Sequence, residues 1–193
     1  GQYPKCEFRP EAREYMAVTF SDMKDGAREA INFFNRVGDR PYQSYVLYTI
    51  GMKNRVHGQI TDAISALSAA LEKYPYYQDA PTAQRMLIEC YIIKKDYTKA
   101  NEARERLVDY YWVNGEWASR NSRDKAAIAR ARNEVKEALE YIPVFYHAQA
   151  EKSKNKELFQ KALERYLEYF QKFGGDTWKN YEFKYYVADI YNT

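Results

Sequence analysis

The chain has 193 residues, 46% of them hydrophobic and 30% charged, with 30 Lys and Arg against 27 Asp and Glu. This length fits one compact domain or one stretch of a longer repeat array. The near-balanced charge lacks the clustered basic face of a nucleic-acid binder, and no apolar run approaches the ~18–20 residues of a membrane span. Eight Gly and six Pro are few breakers for a chain rich in Ala, Glu, Lys, Leu and Arg, which favours helices over sheets.

Apolar residues recur at three- and four-residue spacing almost throughout, the period of a helix. The breakers divide the chain into about nine predicted helices. The first covers residues 9–23 and ends near Gly26, and the second covers residues 27–37 and stops at Gly38, a favoured helix-ending residue. Pro41 starts the third, where its missing N–H matters little, and that helix runs to Val56. The fourth covers residues 61–74 and is closed by Pro75; the fifth covers residues 81–94. Asp96 is the predicted N-cap of a sixth that reaches Tyr111. Residues 112–121 read as irregular, with Asn114-Gly115 as a turn signal. Ser122 then caps a long seventh helix that Pro143 should kink. The eighth covers residues 155–173 and ends at Gly174-Gly175; Asp176 caps a ninth running to the C-terminus.

Three of these helix pairs share a spacing. Small residues Ala63, Ala100 and Ala162 each follow a large apolar residue by three positions: Ile60, Tyr97 and Phe159. Eight positions after each anchor stand Leu71, Val108 and Phe170; twelve before stand Gly51, Ile88 and Ala150. Two antiparallel helices approach closely only where one carries a small side chain. A large neighbour one turn away then fills the space beside it. Such a hairpin cannot bury its outer face alone and stacks on the next one. The interval between Ala100 and Ala162 is longer than one repeat, so a helical segment (about residues 112–141) is inserted.

The pattern resembles the tetratricopeptide (TPR) repeat. The first copy, at residues 45–77, carries Gly51, Ile60, Ala63, Leu67, Ala70 and Pro75. The second, at 82–112, keeps Tyr91, Tyr97 and Ala100 but has Arg104 where the motif usually has an aromatic or aliphatic residue. The third, at 143–174, keeps Ala150, Phe159, Ala162 and Tyr166. Within that family, the Tyr74-Pro75 helix end and the Tyr97-Thr98-Lys99-Ala100 turn resemble BamD-like and YbgF-like repeats. The stretches EAREYMAVTFSD (11–22), DRPY (39–42), GEWASRN (115–121), FYHAQAE (145–151) and YYVADIYN (185–192) are similar to large deltaproteobacterial envelope TPR proteins of the AglT-like group.

The resemblance implies one all-α, TPR-like right-handed α-solenoid of antiparallel hairpins over residues 1–193, part of a longer array. It also implies a periplasmic or outer-membrane-associated scaffold, with no catalytic activity and no cofactor.

The residues themselves point the same way on chemistry. There is no GxxxxGK[ST], no GxGxxG and no nucleophile elbow. His147 and Glu151 stand one turn apart, but a zinc-protease helix needs a second histidine four residues from the first. The reading is therefore no metal, with His147 packed or hydrogen-bonded on its hairpin. In a TPR array the first helix of each hairpin lines the concave face. That register points Tyr45, Tyr48, Met52 and Arg55 into the groove from one repeat. Arg85, Glu89 and Ile92 follow from the next, and His147, Glu151 and Lys154 from the third. A mixed aromatic and charged lining suits a peptide or a partner helix. The expected function is a non-enzymatic protein-interaction scaffold of the cell envelope. Alternatives are an assembly factor that binds extended outer-membrane clients, and a glycan or peptidoglycan binder.

Overall fold

The computed structural model describes residues 10–175 and 177–192, and among them every regular element is a helix. The ten helices are α1 Pro10–Asp22, α2 Gly26–Val37, α3 Gln43–Val56, α4 Ile60–Lys73, α5 Ala80–Ile93, α6 Tyr97–Tyr111, α7 Glu116–Arg120, α8 Lys125–Ser153, α9 Lys156–Phe173 and α10 Trp178–Tyr191. The most extensive helix–helix contacts are α3 on α4, α5 on α6 and α8 on α9, the three pairs that carry the repeated spacing. In turn α1 packs on α3, α2 on α4, α4 on α5 and α6 on α8.

The links within these pairs are chemically alike. Gly58, Lys95 and Lys154 each adopt a left-handed backbone, with φ of 76°, 59° and 55°. At the first two links the next amide reaches back five residues to a helix carbonyl: Gln59 N–H to Asn54 O at 2.8 Å and Asp96 N–H to Tyr91 O at 2.9 Å. This Schellman-type closure satisfies carbonyls that the helix end would leave orphaned. At the second and third links the following helix is then capped by a side chain. Asp96 accepts from the Lys99 amide at 3.1 Å, and Asn155 accepts from the Glu157 amide at 2.8 Å. The anchor lies five residues past the left-handed residue at Ala63 and Ala100 but eight past it at Ala162, so α9 begins about one turn earlier than its counterparts.

Packing follows the small residues. Ala63, Ala100 and Ala162 are fully buried. Helix α4 serves two clusters at once: Ala66 and Ala70 pack with Phe34, Leu47 and Ile50, while Ala63, Leu67 and Leu71 pack with α5 and α6 residues such as Ala83, Leu87 and Leu107. A helix apolar on two sides is what stacking of hairpins requires.

Several boundaries differ from those read in the sequence. Pro41 lies in a turn, and α3 starts at Gln43, whose buried amide donates to Gly38 O at 2.7 Å and accepts from Tyr74 and Lys73. The segment 112–121 is not merely irregular, because it contains α7 and seats Trp117 in the core with no exposed surface. The Trp117 indole N–H donates to Tyr77 O at 2.8 Å, and the Asn121 amide donates to Tyr76 O at 3.1 Å, docking α7 on the α4–α5 link. Asp124, not Ser122, caps α8 by accepting from the Ala127 amide at 2.8 Å. Helix α8 runs without interruption through Pro143. The predicted cap Asp176 lies outside the described residues, and Thr177 caps α10, accepting from the Asn180 amide at 3.3 Å. The described residues thus hold ten helices where about nine were expected, the addition being α7.

Candidate functional site

A mainly apolar groove of about 630 Å³ lies where α8 crosses α5 and α6. Its volume falls in the ~300–1,000 Å³ range of ligand and peptide pockets. Ile88 and Ile92 come from α5, Tyr97 and Leu107 from α6, and Tyr141 and Val144 from α8. Tyr97 and Tyr141 keep 58% and 61% of their surface exposed, so two large rings stand at its mouth in water. Exposed aromatic rings that gather in one concavity are characteristic of interaction surfaces.

One edge of the groove is a chain of charges. Arg55 Nη1 pairs with Glu89 Oε2 at 3.0 Å, Arg85 pairs with the other Glu89 oxygen, and Arg85 Nε lies 3.4 Å from Glu134 Oε1. The Thr82 hydroxyl donates to the same Glu134 oxygen at 3.1 Å. Burial pushes the Glu134 carboxyl above its ordinary value, against the opposing pull of Thr82 and Arg85. These charges neutralise one another and leave the groove floor apolar. Glu137, exposed at the rim, is the carboxylate facing solvent there.

Of the ten residues read from the sequence as a concave lining, Arg85, Glu89 and Ile92 line this groove, and Arg55 joins its charged edge through Glu89. Tyr45 turns instead toward α1. Its hydroxyl donates to Glu14 Oε2 at 2.6 Å and Arg13 lies 4.2 Å over its ring, and the Glu14 bond raises the phenol pKa. Tyr48 is half-buried against Tyr77, with ring centroids 6.2 Å apart, and Met52 packs on the same cluster. His147 is buried on α8 near Glu151, and Lys154 is the exposed left-handed residue that closes that helix.

Sequence reasoning missed the α6 contribution because it assigned the lining to the first helix of each hairpin alone, and on α8 it chose His147, Glu151 and Lys154, toward the C-terminal end of that helix, instead of groove residues such as Tyr141 and Val144. The run Tyr141-Ile142-Pro143-Val144-Phe145 carried a signal, being too apolar for a solvated helix face. Arg104, the departure from the repeat pattern, lies 4.8 Å over the Tyr141 ring and holds it at the groove mouth.

The chain matches no protein-family model, and comparison with curated proteins finds none similar to it.

Proposed function

We propose that the chain is a non-catalytic interaction module of the bacterial envelope, a TPR-like stack of helical hairpins that seats an apolar segment of a partner protein in the α5–α6–α8 groove. The observation that carries this reading is the gathering of Ile92, Tyr97, Tyr141 and Val144, all exposed by more than a third, around one apolar floor. Burial of such surface yields ~25 cal/mol per Å², and the neighbouring Arg55, Arg85, Glu89 and Glu134 side chains pair with one another. The best-fitting segment carries a Lys or Arg beside its apolar anchors, to meet Glu137 at the rim. The shared hairpin turns and the two-sided packing of α4 support the solenoid reading. The envelope location rests on the sequence resemblance.

The test is a crosslinking pull-down from envelope extract with the wild-type chain and with Ile92→Asp/Tyr141→Ala. A discrete protein whose crosslinked residues include an apolar segment, lost with the double variant, supports the module. Many extended clients captured alike would favour the assembly-factor reading. A partner captured equally by both forms would move the binding surface off this groove.

A further inference from the structure

His147 is 6% exposed and lies edge-on among three aromatic rings, with centroid distances of 5.8 Å to Phe159, 6.2 Å to Tyr166 and 5.8 Å to Tyr186. Its Nε2 atom is buried without a hydrogen-bond partner. Buried polar atoms in folded proteins almost always have a partner, so an orphan of this kind requires a reason. Two carboxylates face it. Glu151 Oε1, one turn along α8, is 3.8 Å from Nε2, and Asp189 Oδ2, on α10, is 3.6 Å from it. These distances are too long for hydrogen bonds. The three donor atoms lie within 4.8 Å of one another.

The geometry points to a binding site for a divalent first-row transition metal ion, held by His147 Nε2, Glu151 and Asp189, that ties α8 to α10. Zinc binds histidine nitrogen and carboxylate oxygen at about 2.0–2.2 Å, so two ligands at a tetrahedral angle stand ~3.4 Å apart. The two distances from Nε2 exceed that by only a few tenths of an ångström. One imidazole and two carboxylates also match the ion in kind and charge, because a neutral histidine and two anions balance a dication. The other ring nitrogen, Nδ1, lies 3.5 Å from the Tyr166 hydroxyl. With the proton on Nδ1 that hydroxyl is its acceptor and Nε2 keeps its lone pair, the tautomer that metal-ligating histidines adopt. Burial raises the Tyr166 phenol pKa, so the hydroxyl keeps its proton.

The Glu151 and Asp189 side chains are 58% and 47% exposed, which gives the ion a path in and leaves room for a water as fourth ligand. Helix α10 otherwise docks chiefly through Phe183, whose ring centroid is 4.8 Å from that of Tyr166 and 4.9 Å from that of Tyr169. Metal binding would add a tie in the C-terminal half of that helix, where Tyr186, Val187 and Ile190 are only partly buried, and stabilise the docked state by mass action.

The site can be tested on the purified chain stripped with chelator, using Zn²⁺ in competition with a chromophoric chelator, the imidazole proton resonances and the thermal midpoint. Of the other strong donors Cys90 is buried, His57 is exposed and Cys6 lies outside the described residues, so His57→Gln and Cys6→Ser are the controls. The expected result is one Zn²⁺ per chain, a shift of the His147 resonance and a raised thermal midpoint, all retained in both control variants. Asp189→Asn and Glu151→Gln alter half-exposed side chains and should each weaken binding at least ~10-fold while keeping the helical circular dichroism of the wild type. Zn²⁺ affinity unchanged in both carboxylate variants, or lost with His57→Gln or Cys6→Ser, would overturn the assignment. So would a wild-type chain that takes up no Zn²⁺.

Discussion

Gly51 of α3 lies directly against Leu67 of α4: a Cβ added to the glycine would fall 2.6 Å from Leu67 Cγ and 2.7 Å from its Cδ2. Leu67 is fully buried, and the nearest atom met is its Cγ, not the far end of a flexible side chain. Gly51→Ala therefore overpacks the hairpin, at about 1–3 kcal/mol, which exceeds the ~1 kcal/mol that alanine gains over glycine in helix propensity. Net destabilisation is expected in urea unfolding. Leu67→Ala alone leaves a cavity and costs about 2–5 kcal/mol. In the double variant the added methyl enters the vacated space, so the two losses should sum to more than the loss observed. Strictly additive losses would show that α3 and α4 do not meet at this pair.

Trp117 makes a second prediction. The ring is fully buried, sits edge-on to Tyr111 at 6.0 Å between centroids, and its N–H satisfies the Tyr77 carbonyl. Trp117→Ala should cost about 3–5 kcal/mol. Trp117→Phe should cost less in packing and remove one of two donors to the Tyr77 carbonyl, which keeps the Ala80 amide at 3.1 Å, so the lost hydrogen bond is worth about 0.5–1.5 kcal/mol. Chemical denaturation of both variants separates the two contributions. Equal stability of Trp117→Phe and wild type would show that the Ala80 amide alone suffices for the carbonyl.

The sequence was informative where geometry is local. The spacing around Ala63, Ala100 and Ala162 follows from helix–helix approach, and all three residues are fully buried. The Asp96 cap is likewise a short-range matter and forms as expected. What a linear pattern cannot encode is which distant segments meet. Trp117 binds a carbonyl 40 residues away, so the segment that holds it reads as a loop until the α4–α5 link is placed beneath it. The candidate sites show the same division. His147 and Glu151 were visible as a pair on one helical turn, but Asp189 reaches them only through the docking of α10. Arg85, Glu89 and Ile92 share a face of α5, while the α8 residues opposite them straddle the inserted segment and the start of the third copy, a junction with no fixed place in the repeat register.

Stability and binding should separate at the groove. Tyr141 is 61% exposed, and what it gives the fold is chiefly its stacking with Arg104, about 0.5–1 kcal/mol for an exposed cation–π pair. Tyr141→Ala and Arg104→Leu should therefore unfold within about 1 kcal/mol of the wild type. Tyr141→Ala should still abolish capture of a groove-bound partner. A large stability loss from either substitution would mean that the ring is a structural element and not a free binding surface.

Glu134 ties stability to pH. Its side chain is 11% exposed, and burial raises its carboxyl pKa above the ordinary 4.5. Below that ordinary value the carboxyl is protonated in both folded and unfolded chains. Between it and the raised folded value, the folded chain keeps a proton that the unfolded chain has lost. The folded state then binds more protons, so this group's contribution to stability falls as pH rises through the window and is lost above the folded value. Glu134→Gln fixes a neutral group of the same shape that can still accept from Thr82. Relative to wild type, the variant should gain stability as pH climbs from 4.5 through that window, then run parallel to it toward neutrality. Thermal or urea unfolding of both proteins across a pH series reads this difference. If instead the variant loses ground as pH rises, the charged carboxylate is favoured in the fold, and the Arg85 and Thr82 contacts outweigh the burial of Glu134.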